Sequence, residues 1–232
     1  HYDQHRYREY RVSPGLRDFK PHFLKAIRHV SAEIANAYIT AGELMLDVAL
    51  LRSLNDYVQD EMSESAMALV NRDESRHIAM DYYMTEYYAS DAYQEWVRSQ
   101  PPKSLEQKLR AMVIFSRVLV AAGPFAQQVF FQPMARTDPS GRRLREAVKR
   151  MQLLGQRPGV ADRPFTKFMA SMRAINDHPR LGPIFGGLAR RLTASFPEEL
   201  YRDLFTREEL RRARHASIDE LAADALAAKN LN

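Results

Sequence analysis

Asn71-Arg72-Asp73-Glu74-Ser75-Arg76-His77 places a Glu and a His three positions apart inside a long segment free of Gly and Pro. On an α-helix, residues three apart share one face, about one turn from each other. A carboxylate and an imidazole held side by side make a pair of metal donors, one hard and one borderline. The competing reading is a surface i,i+3 ion pair, worth roughly 0.2–0.5 kcal/mol. The neighbouring sequence bears on the choice.

Steps of three and four along this segment give Met67, Val70, Glu74, His77, Asp81 and Met84. Burying a Glu and a His in such a stripe is costly unless something compensates, and a metal ion does so. The preceding segment, Pro21 to Arg52, carries the stripe Ala26, Val30, Glu33, Ala37, Ala41, Leu44, Val48, Leu51, with Glu33 its one charged member. Its alanines leave room for a carboxylate and an ion. Between the segments, Asp56 with Gln59 reads as a capping box. A hairpin centred near Ser53 and Leu54 sets Glu33 opposite Glu74, each ~30 Å from the turn. The other candidate is Glu43. Its stripe, Asn36, Thr40, Glu43, Asp47, is polar throughout and reads as a solvated face. A longer turn around Tyr57 to Glu61 would put Glu43, not Glu33, beside Glu74. His29, one turn before Glu33, is a further alternate.

With these residues the chain resembles the ferritin-like carboxylate-diiron superfamily. Segments like Arg72-Asp73-Glu74-x-x-His77 occur in the second metal-binding helix pair of ribonucleotide reductase small subunits, acyl-carrier-protein desaturases and arylamine N-oxygenases. The likeness spans about residues 20–90, and the Glu33–Glu74 separation is longer than is usual there. It implies an all-α, ferritin-like helical bundle built on a long antiparallel helix hairpin. It implies Glu33, Glu74 and His77 as metal ligands, with Glu43 and His29 as alternates, and Asp73 as the residue that orients the ligating His. The implied cofactor is dinuclear iron, with manganese possible.

The implied activity is that of a non-haem diiron oxidase or oxygenase. It would use dioxygen and an external electron donor to hydroxylate, desaturate or N-oxidise a small organic substrate. The motif assigns no catalytic residue beyond the ligands and implies no organic cofactor. The alternatives are a ferritin-like iron-oxidising or storage protein with a dimer-completed site, and a metal-free helical scaffold. A complete centre needs two Glu and two Glu-x-x-His, whereas this sequence has one Glu-x-x-His. The remaining ligands are expected from an N-terminal helix pair outside this sequence or from a second subunit in a homodimer; otherwise the site is degenerate, with one metal or none.

Composition narrows the classes. At 232 residues and 45% hydrophobic, the chain can bury a sizeable core. It has no Cys, which excludes disulfides, thiolate metal sites and Cys nucleophiles and suits a reducing cytoplasm. No unbroken apolar run reaches the ~18–20 residues that span a bilayer, since Ser116 and Arg117 interrupt Ala111 to Ala122, so no membrane partner is expected. The net charge of +5 comes with Arg142-Arg143-Leu144-Arg145, Arg190-Arg191 and Arg211-Arg212-Ala213-Arg214. Interleaved with acids, these clusters read as solvated helix faces, and no nucleic-acid partner is expected.

The expected organisation is a 1–19 extended lead-in, a 20–155 bundle (possibly incomplete at the N-terminus) and a 156–232 helical appendage beyond a linker at Gly155 to Pro164. Helices are predicted over 20–52 and 56–89, then to Ser99, and again from Ser104 with a break or kink at Gly123-Pro124. An Arg-rich helix follows Asp138-Pro139-Ser140-Gly141, and shorter helices lie near 165–176, 181–195, 197–204 and 206–228. Tyr82, Tyr83, Tyr87 and Tyr88 read as packing, with none singled out as redox-active.

Overall fold

Ser13 begins the first helix by accepting a hydrogen bond from the Leu16 N–H at 3.2 Å, with Pro14 in the first turn, where its missing N–H costs nothing. The computed structural model describes residues 11–183 and 198–229, and every regular element among them is helical. Helix α1 (Pro14–His29) therefore takes in residues 14–19, which the sequence reading assigned to an extended lead-in. The predicted helix over 20–52 is in fact interrupted, because Ser31 is extended (φ −167°, ψ 138°). After it α2 (Ala32–Glu43) continues without a gap into a π-helical segment (Leu44–Leu51) and α3 (Arg52–Val58).

The hairpin turn lies at Gln59 and Asp60, not at Ser53 and Leu54. Gln59 is left-handed (φ 48°), and Asp60 caps α4 (Glu61–Ala89) by accepting from the Ser63 N–H at 2.8 Å. The expected capping residue, Asp56, is taken by other partners. Arg143 Nη2 donates to it at 2.7 Å, and Arg52 lies 3.6 Å away in the same helix. Ser53 likewise satisfies its hydroxyl on the Leu50 carbonyl and Thr137, so the helix runs on.

Beyond α4 come α5 (Asp91–Ser99) and α6 (Leu105–Ala126), the latter opened by a Ser104–Gln107 capping box. Pro124 does not end the helix: a π-helical segment (Gln127–Phe131) and α7 (Gln132–Thr137) continue it. Then follow α8 (Arg142–Leu154), α9 (Pro164–Asp177), a 3-10 turn (Glu198–Tyr201), α10 (Arg207–His215) and α11 (Ile218–Ala228). The helix predicted near 181–195, and with it Arg190-Arg191, lies almost wholly outside the described residues.

The main core joins Leu44 and Val48 of the π segment, Ile78 and Tyr82 of α4, Val148 of α8, and Leu221 and Ala225 of α11. One core therefore draws residues from both sides of position 156, where the sequence suggests a boundary between bundle and appendage. Helix α11 packs on α4, α8 and the π segment, because Ile218, Leu221, Ala222 and Ala225 form an apolar stripe that must be covered. The expected linker is also tied down, with Arg157 donating to the Glu86 carboxylate and the Ala216 carbonyl. Two continuous helices, Ala32–Val58 and Leu105–Thr137, are long and apolar enough by length and composition to cross a membrane. Neither contains an unbroken apolar run of that length, since Glu43 and Asp47 interrupt the first and Ser116 and Arg117 the second.

Helix α1 crosses α6 closely at Gly15, whose N–H donates to Gln128 Oε1 at 2.8 Å. A Cβ there would meet the Pro124 carbonyl oxygen at 2.6 Å and Phe125 Cα at 2.9 Å, both backbone atoms. Gly15→Ala is therefore expected to destabilise by about 1–3 kcal/mol, outweighing a propensity gain of up to ~1 kcal/mol. Urea denaturation should show a lower midpoint at unchanged slope. An unchanged midpoint would mean that the crossing relaxes freely.

Candidate metal centre

Turning at Gln59, the hairpin sets α2 antiparallel to α4, with Glu43 at the end of α2 facing Glu74 and His77. One ligand atom from each of Glu43, Glu74 and His77 lies within 4.8 Å of the other two. His77 Nδ1 is 2.8 Å from Glu74 Oε2. Donors bound at ~2.0–2.2 Å to one ion are at most ~4.4 Å apart, so small side-chain movements would close the set on a single cation. The edge at His77 is open, the imidazole side chain being 58% exposed and the Glu74 side chain 19%.

Toward the far end of α4 the interface is polar and largely buried. Asp81 is buried, and its Oδ2 has no hydrogen-bond partner; Glu43 Oε2 is likewise buried and unpartnered. Asn36 Nδ2 donates to Thr85 Oγ1 at 3.0 Å, and Thr40 Oγ1 to the Asn36 carbonyl at 2.9 Å. The stripe Asn36, Thr40, Glu43, Asp47 is therefore not a solvated face. It is the contact face with α4, polar because the opposing Glu74, His77, Asp81 and Thr85 are polar. Asp47 and Asp81 belong to this network, and only the matched polar stripes of the two helices could have signalled that.

The electrostatics follow from packing carboxyls together out of water. Burial, then the charges of Glu74 and Asp81, pushes the Glu43 carboxyl up to about 7, with His77 opposing. Burial raises Asp81 to about 6, again against His77. The imidazole is raised, first by its hydrogen bond to Glu74. The unpartnered Glu43 oxygen, beside the Glu74 carboxylate and the His77 imidazole, fits one hard or borderline divalent ion such as Fe(II) or Mn(II), with Asp81 outside that group. Among the described residues no second group of this kind occurs, so they fit one ion and not two.

The other sequence candidates lie elsewhere. Glu33 is gripped by Arg163, with Nε donating at 2.8 Å and Nη2 at 2.6 Å, and it lies ten residues, ~15 Å of helix, before Glu43. The six-residue displacement of the turn exchanges one glutamate for the other. His29 is exposed in the last turn of α1, ahead of the helix break. Asp73 faces solvent and pairs with Arg76 at 3.3 Å, so Glu74 itself, not Asp73, holds the His77 ring. Tyr82 is a core residue, whereas Tyr83 and Tyr87 are exposed. Searches for similar proteins found no match to a family model, a curated protein or a solved structure.

Glu43, Asp81 and His77 all bind protons more tightly in the fold than in the unfolded chain. Between the unfolded carboxylate range, ~4, and about 7 for Glu43, the native state holds more protons. Stability therefore falls as pH rises. In chelator, the melting temperature is expected to drop from pH 5 to pH 8, and Glu43→Gln should flatten the slope and raise stability at the upper end. A melting temperature that climbs with pH would contradict the arrangement.

Proposed function

We propose that the protein binds iron(II) or manganese(II) through Glu43, Glu74 and His77 in a ferritin-like helical bundle, and acts as a non-haem oxidase or oxygenase on a small organic substrate. The observation that carries the metal reading is the convergence of three ligand atoms from two helices within 4.8 Å. The oxidase reading rests on the resemblance of Asp73-Glu74-x-x-His77 to the diiron families. A redox-active ion held there would supply dioxygen activation, with electrons from an external donor.

The chain's own residues have distinct tasks. Glu43 must release a proton for the ion to enter, so affinity should rise with pH through about 7. Glu74 fixes the orientation of the imidazole as well as offering an oxygen. Asp81 has a buried, free oxygen on which a proton can rest near the site. Leu44 and Ile78, each about 1% exposed, close off the core side, leaving the His77 edge for substrate. A dinuclear centre needs a further helix pair or a second subunit, whose test is oligomeric state measured with metal content. A reducing cytoplasm, which keeps iron ferrous, belongs to the same reading.

Elemental analysis after desalting is expected to find close to one iron or manganese per chain. Glu43→Ala and His77→Ala should each weaken binding by at least about tenfold. Glu33→Ala should leave it unchanged, because that carboxylate serves Arg163. Loss of metal on Glu33→Ala but not Glu43→Ala would overturn the assignment.

A further inference from the structure

Lys229 follows the last turn of α11, and its side chain enters the helix interface, leaving the residue 6% exposed. Its Nζ lies 2.6 Å from Asp47 Oδ2, 2.9 Å from the Asn71 carbonyl oxygen and 3.1 Å from Ser75 Oγ. An ammonium has three N–H donors and no acceptor, so three oxygens saturate it. A carboxylate, a carbonyl and a hydroxyl are also hard donors of the kind that hold a small divalent cation. Asp47 sits one turn beyond Glu43 on the same unbroken helix, while Asn71 and Ser75 flank Glu74 on α4. The oxygen cage thus adjoins the metal centre on the side nearer the hairpin turn.

We propose that the Lys229 ammonium stands in for a second cation, filling the oxygen cage of Asp47, Asn71 and Ser75 and so limiting the centre to one metal ion per chain. The stoichiometry rests on the metal reading of Glu43, Glu74 and His77; the cage itself does not. The ammonium is anchored as well as paired. The Lys229 carbonyl accepts from Arg143 Nη1 at 3.2 Å, while Nη2 of the same guanidinium donates to Asp56 at 2.7 Å. A tethered charge neutralises Asp47 without vacant coordination positions and without redox chemistry. Asn71, Ser75 and Lys229 also line a surface cleft of about 340 Å³, which gives a hydrated ion a route once the lysine is removed. Arg52 in the wall is paired with Asp56, but Arg72 in the same lining opposes cation entry, so the test uses millimolar metal.

Mn(II) binding to the chelator-stripped full chain, counted by electron paramagnetic resonance of the free ion, tests this. The unsubstituted protein should bind one equivalent and Lys229→Ala two, the second disappearing in the Lys229→Ala/Asp47→Asn double variant. One equivalent in Lys229→Ala, or two in the unsubstituted chain, would overturn the stand-in while leaving the metal centre intact. No binding to the unsubstituted chain, with one Asp47-dependent equivalent in Lys229→Ala, would keep the cage and overturn the metal centre. No binding to either would overturn both. If Lys229→Ala unfolds without metal, millimolar Mn(II) should restore its helical circular dichroism; a variant that stays unfolded in Mn(II) would overturn the proposal.

Discussion

A carboxylate without access to water needs a cation or a proton, and Asp47 is fully buried. Lys229 supplies the cation, and in doing so it fixes the last helix to the first half of the hairpin. Removing either partner would leave the other as an uncompensated buried charge, a loss of about 3–5 kcal/mol. Once Lys229 is seated, the apolar face of α11 lies on α4, α8 and the π segment, and the main core closes. The C-terminal helix is therefore part of the structure that holds Glu43 and Glu74 together, although it lends neither of them a hydrogen bond.

The π-helical segment beginning at Leu44 has a related consequence. Its i→i+5 bonding puts more residues in each turn than an α-helix does, so positions four apart stack more nearly in line. Glu43, at the junction, and Asp47, just beyond it, can then both face α4, with Asp47 also meeting Lys229 after α11. Segments of this kind often accompany functional sites. Here the segment also supplies the buried Leu44, Val48 and Leu50, so the same distortion serves packing and polar placement.

Much of the local structure was legible from residue types and spacing. The Ser104–Gln107 capping box is satisfied in both directions, and Asp138 to Gly141 turn into an Arg-rich helix, with Gly141 at φ 64°. Glu74 and His77 fall together because a three-residue interval on one helix fixes them there. The hairpin turn was misplaced for a physical reason. Ser53, Asn55 and Asp56 have cap chemistry, but Asp56 is bound by Arg143 from far along the chain, and Asp60 caps instead. Asn36, Thr40 and Asp47 look solvated for a separate reason: a polar stripe reads as surface unless its partner stripe is known.

The sequence by itself determined the helical class, most helix starts, and the adjacency of a carboxylate and an imidazole on α4. These depend on capping groups, periodicity and spacing within a few residues, which helix geometry converts directly into position. Tertiary structure alone decided that Glu43 and not Glu33 faces Glu74, that a polar stripe is buried, and that the last helix completes the core. Each of those outcomes turns on a charge-assisted contact between distant residues: Arg143 with Asp56, Arg163 with Glu33, Lys229 with Asp47. Local propensity carries no record of such pairs, because a guanidinium or ammonium finds its partner only after the helices have packed.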